Sequence, residues 1–229
     1  MMRRAVLCLV FASLAFSAAA QDFITATQYF EQAAERYSGI QSYSADVSIT
    51  VSEEEMIGEM VYLRPSLLRI DFSQPEEQVI VSDGALLSVF VPQNNVVLQQ
   101  QLRARSGDDF TGLATPEGLA LLRQGYSIVY TQGPDPQPLD GPDVLDGSRE
   151  PVVKLTLTRR RSNEGFRQIE LAFGANGLIR RITGTTIGFQ QVTMDFRNVE
   201  VNQPIAATVF EYDAPGTANT TDNFLFGPQ

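Results

Sequence analysis

The stretch Arg64 to Gly84, R-P-S-L-L-R-I-D-F-S-Q-P-E-E-Q-V-I-V-S-D-G, constrains the fold more than any other part of the chain, because two strands, a turn and a hairpin corner are compressed into it. Pro65 fixes its own φ and drives Arg64 into an extended conformation, so a strand ending at Leu63-Arg64 must stop or bend there. Leu68, Ile70 and Phe72 alternate with Arg69 and Asp71, the period-2 pattern of a strand with one apolar and one wet face. Gln74-Pro75-Glu76 has the composition of a turn, Gln78 to Ser82 that of a short β-branched strand, and Asp83-Gly84 that of a two-residue hairpin turn.

The same grammar extends in both directions. Tyr43, Ala45, Val47, Ile49 and Val51 alternate with Ser44, Asp46, Ser48 and Thr50, and after an acidic turn at Glu53-Glu54-Glu55 a strand returns over Met56 to Leu63 with Met60 and Tyr62 on one face. Further strands are expected at Leu86 to Val91, Val96 to Leu102, Tyr126 to Gln132, Val152 to Arg159, Phe166 to Phe173, Leu178 to Thr186, Val192 to Val201 and Val209 to Tyr212. Many even strands with tight turns make a large antiparallel sheet that curls into a barrel or sandwich. Two segments break the pattern. Ala26, Phe30, Ala33 and Tyr37 recur at helical spacing behind a Thr25/Gln28 capping box, with Gly39 as a C′ stop, and Thr115-Pro116-Glu117 opens a short helix carrying Leu119, Leu121 and Leu122. Gly133 to Pro151, with five prolines, is expected to be an exposed excursion, and residues 218–229 a frayed tail.

At the N-terminus Arg3-Arg4, the apolar run Ala5 to Phe16 and the small residues Ser17 to Ala20 form the three regions of a secretory signal peptide, cleaved after Ala20. Cys8 lies too early to accept a lipid, so a processed chain of 209 residues (229 minus 20) holds no cysteine. Lys+Arg 17 against Asp+Glu 27 gives a net charge of −10, and losing Arg3 and Arg4 takes it to −12 (15 against 27). Such acidity argues against nucleic acid as a partner and against adhesion of the body to anionic lipid. With no histidine anywhere, triads, Cys-His pairs and zinc helices are excluded. Carboxylate pairs such as Asp71 with Asp83, or Asp108 with Asp109, are better explained as a wet strand face, a turn former and a polar loop. No catalytic residue, cofactor or metal is therefore assigned.

The block from Arg64 to Gly84 resembles the outer-membrane lipoprotein carrier (LolA) family, in which an arginine-proline pair precedes an apolar strand, a Q-P turn and a V-S-D-G hairpin. The likeness continues more weakly from about Tyr29 to Pro215. Two family tryptophans are replaced, by Ile70 and Ser88. The resemblance implies a mainly β domain over residues 21–217, an incomplete, unclosed antiparallel barrel of about ten strands, with a helical lid on its concave face built on Phe30, Leu119 and Leu122. It implies that Arg64 latches this lid by donating to backbone carbonyls, for which five fixed donors are suited. It also implies a monomeric periplasmic carrier of lipoprotein acyl chains, loaded by an inner-membrane lipoprotein-release complex and unloaded at an outer-membrane receptor. A LolA-like lipid- or stress-sensing regulatory domain that binds a partner protein is the alternative. Composition leaves open whether the faces Val47/Ile49/Val51, Met60/Tyr62 and Leu68/Ile70/Phe72 form a filled core or line an acyl-chain cavity; the absence of tryptophan and two helices with apolar stripes favour the cavity.

Overall fold

The computed structural model describes residues 24–102, 114–145, 147–160 and 166–222, so the expected leader lies outside the described residues. In chain order the elements are α1 (Ala26–Ser38), β1 (Ser42–Val51), β2 (Glu54–Leu63), β3 (Leu67–Gln74), β4 (Val79–Ser82), β5 (Leu86–Val91), β6 (Val96–Gln101), α2 (Pro116–Gly125), β7 (Tyr126–Tyr130), β8 (Gln137–Pro138), β9 (Pro151–Arg159), β10 (Phe166–Phe173), β11 (Ile179–Thr186), β12 (Gln191–Val201) and β13 (Asn219–Asp222).

Among the described residues the strands form a thirteen-stranded sheet ordered β13-β6-β5-β4-β3-β2-β1-β12-β11-β10-β9-β7, with β8 added on β9. Every neighbouring pair is antiparallel except β13 on β6, most of them joined by hairpins, while β1 and β12 come together from opposite ends of the chain. The ends of this order, β7 and β13, do not pair with each other, so the barrel is unclosed. The count exceeds the expected ten in part because β8 has two residues and β13 four.

Register puts the apolar alternates of adjacent strands on one face. Ala45 pairs with Met60 and Met60 with Ile70, while Tyr43 pairs with Tyr62 and Tyr62 with Leu68. On the other half of the sheet, Leu157 faces Ile169 and Ile182 faces Met194. Gly58 sits where Val47 and Phe72 converge, and a Cβ there would run into the Asp71 carbonyl. Both helices lie against this inner face, closing one continuous core from Phe30 to Phe196.

Several expectations require correction. The hairpin corner turns on Gly84-Ala85, one residue later than expected, because Gly84 takes φ +89° and Asp83 N–H closes on the Leu86 carbonyl at 3.2 Å. Gly39 caps α1 in right-handed geometry (φ −81°), so its left-handed freedom is unused. Glu54 and Glu55 already belong to β2, leaving Ser52-Glu53 as the turn. Val209 to Tyr212 is not a strand: Ala207–Phe210 is a 3₁₀ turn that buries Phe210, held by Arg69 Nη1 donating to the Val209 and Glu211 carbonyls at 2.9 and 3.3 Å. Nor do residues 219–222 fray; they pair with β6, and residues 223–229 lie outside the described residues.

The proline-rich excursion is likewise tied down. Leu139 is buried with Val152 and Ala172 on the convex face, and Arg181 bonds both Asp140 and Asp195 at 2.6 Å. Arg149 donates to the carbonyls of Asp140, Gly141 and Val144.

Candidate functional site: the covered apolar face

α1 starts where expected. Thr25 Oγ1 accepts from Gln28 N–H at 3.2 Å and the Gln28 side chain accepts from Thr25 N–H at 2.8 Å, a reciprocal cap that satisfies two otherwise orphaned donors. Its inner stripe of Ala26, Phe30, Ala33 and Tyr37 is buried, while Gln28, Glu31, Gln32 and Glu35 line a shallow groove on its outer side. α2 is capped by Thr115, whose hydroxyl accepts from Gly118 N–H at 3.1 Å, with Pro116 at its first turn where a missing N–H costs nothing.

The structure brings the expected apolar residues together. Phe30, Leu119 and Leu122 from the helices share one cluster with Val47, Ile49, Met60, Tyr62, Leu68, Ile70 and Phe72, and Val51 packs at its margin, partly buried. Phe30, Met60, Ile70 and Leu119 are completely buried. Burying each such side chain is worth about 1.5–3 kcal/mol, so most of what holds the helices down is apolar contact without direction. The remainder of the face, which alternation alone did not assign to the site, comes from Leu155, Leu157, Ile169, Leu171, Phe173, Ile182, Met194 and Phe196.

Among the described residues, directional contacts hold both ends of α1. At the N-terminal end of α1, Tyr130 Oη donates to the Ile24 carbonyl at 3.0 Å, and the Tyr29 ring meets Phe173 edge-on with centroids 5.8 Å apart. At its C-terminal end the Ile179 N–H of β11 donates to the Tyr37 hydroxyl at 2.9 Å. Arg64, immediately after β2, donates its backbone N–H to the Gln41 carbonyl and its Nη1 to the Ser38 carbonyl, each at 2.8 Å. A cation is favoured there because the last carbonyls of a helix carry its negative end. α2 is linked to α1 by Arg123 and Glu31 at 3.9 Å; both side chains are about half exposed or more, so the pair contributes little.

The site's electrostatics are those of an apolar enclosure. Burial pushes the Tyr37 phenol well above its ordinary range, against the opposing effects of the Ile179 amide and the Arg180 charge. Burial, with Tyr37 and Tyr62 nearby, does the same to Tyr43. Tyr43 and Tyr62 stack at 5.3 Å, and Tyr62 Oη donates to the Pro65 carbonyl at 3.2 Å. The carboxylates weighed for acid-base work are placed elsewhere: Asp71 is clasped by Arg69 at 2.7 and 2.8 Å on the wet face, and Asp83 accepts from Ala85 and Leu86 N–H in its turn. Asp108 and Asp109 lie outside the described residues. Among the described residues no three His, Cys, Asp or Glu side chains converge to hold a metal. What this arrangement can do is bury apolar surface, and uncover it if the helices move.

The family model described as outer membrane lipoprotein carrier protein LolA matches residues 39–135 and 140–213. A protein named outer-membrane lipoprotein carrier protein from Pseudomonas entomophila (strain L48) is 28% identical over 221 residues, covering 94% of this chain and 98% of that protein. One of the same name from Xanthomonas oryzae pv. oryzae (strain MAFF 311018) is 27% identical, covering 89% and 88%. A crystal structure of an uncharacterized conserved protein from Thermus thermophilus shares the fold with a TM-score of 0.52 at 13% identity, over 85% of this chain and 98% of that one. With a thirteen-stranded unclosed sheet, an apolar face under two helices and a family model spanning most of its length, the chain belongs to the outer membrane lipoprotein carrier (LolA) family.

Proposed function

We propose that this protein is exported, loses residues 1–20, and carries lipoproteins through the periplasm from the inner to the outer membrane, with their acyl chains held between the concave sheet face and the helices. The observation that carries this is the cover: the apolar face is closed by two helices held chiefly by non-directional contacts, where a β-sandwich would close it with a second hydrogen-bonded sheet. A single acyl chain of ordinary length, at about 0.8 kcal/mol per CH₂, is held in a membrane by roughly 10 kcal/mol, so unassisted crossing of water is negligible. A carrier must supply an equivalent apolar surface and then withdraw it. Residues Val47, Ile49, Val51, Met60, Tyr62, Leu68, Ile70 and Phe72 supply the surface in this proposal, and Phe30, Leu119 and Leu122 occupy it until cargo displaces them.

Arg64 is the latch. Its bond to Ser38 is made only while α1 is seated, so opening forfeits it and cargo release regains it. The inner-membrane release complex provides the input and an outer-membrane receptor the outlet, and no group on this chain needs to bind nucleotide. Native mass spectrometry of the protein purified from its own envelope tests this: mass additions matching triacylated lipoproteins or their acyl moieties are expected. Protein free of acylated species, or bound solely to an unacylated polypeptide, would overturn the carrier assignment.

A further inference from the structure

One corner of the molecule serves neither the core nor the helices. The β11–β12 turn projects Ile187 and Phe189, 51% and 74% exposed, either side of Gly188. Phe189 is held with φ +64°, a left-handed conformation unfavourable for a bulky residue. The turn is nonetheless well fixed: Phe189 N–H donates to the Thr186 carbonyl, Thr186 N–H to the Gln190 carbonyl and Gln190 N–H to Thr186 Oγ1, at 2.9 to 3.1 Å. Strain spent on exposing an aromatic ring contributes nothing to folding.

The ring has a cationic companion. Arg167 Cζ lies 4.4 Å from the Phe189 centroid, and Phe166, the residue before it, pairs with Thr186. Arg160, also exposed, continues β9 on the far side of β10, two strand spacings or about 10 Å away. The opposite flank is acidic: Ser52 N–H reaches the Gln191 carbonyl at 3.4 Å, bringing Glu53 of the β1–β2 turn and Glu54 at the start of β2 alongside.

We propose that this tip is a membrane-docking element, with Phe189 and Ile187 entering the interface of an anionic phospholipid bilayer and Arg167 and Arg160 meeting its phosphate headgroups. A folded protein partner fits less well, because a specific interface needs about 800 Å² per side and two side chains on a hairpin tip cannot supply it, whereas a bilayer accepts single protruding groups. The net charge, −12 once residues 1–20 are lost (15 Lys+Arg against 27 Asp+Glu), keeps the rest of the body off an anionic surface, so contact is confined to this corner and is weak and salt-sensitive. Arg160 N–H also bonds the Gly125 carbonyl at 3.0 Å, so docking sets the C-terminal end of α2 beside the bilayer. This claim is independent of what the concave face carries.

The chain contains no tryptophan, so Phe189→Trp provides a single fluorescent reporter. Protein purified from cells expressing the full chain is titrated with vesicles of phosphatidylglycerol and phosphatidylcholine, and with phosphatidylcholine alone, at low ionic strength. A blue shift confined to the phosphatidylglycerol vesicles is expected, with Arg160→Gln and Arg167→Gln each weakening partition about fivefold. Co-sedimentation of the parent chain, and its loss in Phe189→Ser, checks the same point without the reporter. No shift and no co-sedimentation, an equal response to neutral vesicles, or a response only to an added acidic polypeptide overturns the proposal.

Discussion

Replacing Tyr37 by Phe removes one oxygen from a fully packed position and nothing else. That oxygen accepts the Ile179 N–H at 2.9 Å, across 142 residues of sequence, and both residues are almost completely buried. In the variant the amide has no acceptor and little access to water. Leaving a buried donor unsatisfied costs about 1–3 kcal/mol; taking about 2 kcal/mol, a domain of this size should melt about 4–8 °C lower. Tyr43→Phe is the control, because among the described residues its hydroxyl donates to the Met60 thioether at 3.8 Å, a weak acceptor, and its loss should cost far less. Urea unfolding gives both differences, and amide exchange locates them: Ile179 and the last turn of α1 should exchange faster in Tyr37→Phe while β2–β3 amides stay protected. If Tyr37→Phe costs under about 0.5 kcal/mol, within the range of an ordinary surface change, the anchoring of α1 to β11 is refuted.

Other consequences follow from the same contacts. Arg64→Leu should leave the circular dichroism spectrum unchanged but raise exchange in the last turn of α1 by roughly fivefold, the equivalent of about 1 kcal/mol for an exposed bond to a charged donor; unchanged exchange would remove Arg64 as the latch. Arg69→Ala should free the C-terminal arm that crosses β3 on its way to β6, exposing Phe210 and making residues 202–218 sensitive to protease; resistance equal to the parent would show that the arm is held elsewhere. Burial pushes the Asp140 carboxyl up, but hydrogen bonds from Arg181 and Ser148, with nearby positive charge, outweigh it and hold the pKa below the ordinary range. Its contribution is thus present above about pH 4 and lost as pH falls through the lower folded value, so the stability gap between parent and Asp140→Asn should close on acidification. A gap that widens in acid would reverse that sign.

Most of the fold was legible because it rests on local chemistry. Period-2 alternation in residues 43–51 and 67–74 announced half-buried strands, and Thr25/Gln28 and Thr115/Pro116 announced both helices, since caps and strand faces depend on near neighbours. The arm was not legible. Asn219–Asp222 has no apolar alternation and forms a strand only because β6 offers an edge, while the turn that buries Phe210 is held by an arginine from β3. The loop around Leu139 is largely exposed, as expected, but its anchoring was not legible for a similar reason, the anchor being Arg181, more than forty residues away. At the site, the apolar residues were visible as alternates, but the clamp at Tyr37 depends on a backbone amide, which has no sequence signature.

The most direct measurement is transfer itself. Inner-membrane vesicles bearing a labelled lipoprotein are incubated with purified parent protein or Leu68→Glu, and carrier-bound lipoprotein is quantified before and after adding outer-membrane vesicles. Leu68 is 5% exposed between Tyr62 and Ser82 on the covered face, so an unpaired carboxylate there costs several kcal/mol against acyl chains or against the seated helices. The parent should release a soluble complex and deliver it, and Leu68→Glu, once shown to be folded by circular dichroism, should do neither. A parent that releases no lipoprotein, or a folded Leu68→Glu that carries and delivers it equally well, would contradict carriage on the concave face.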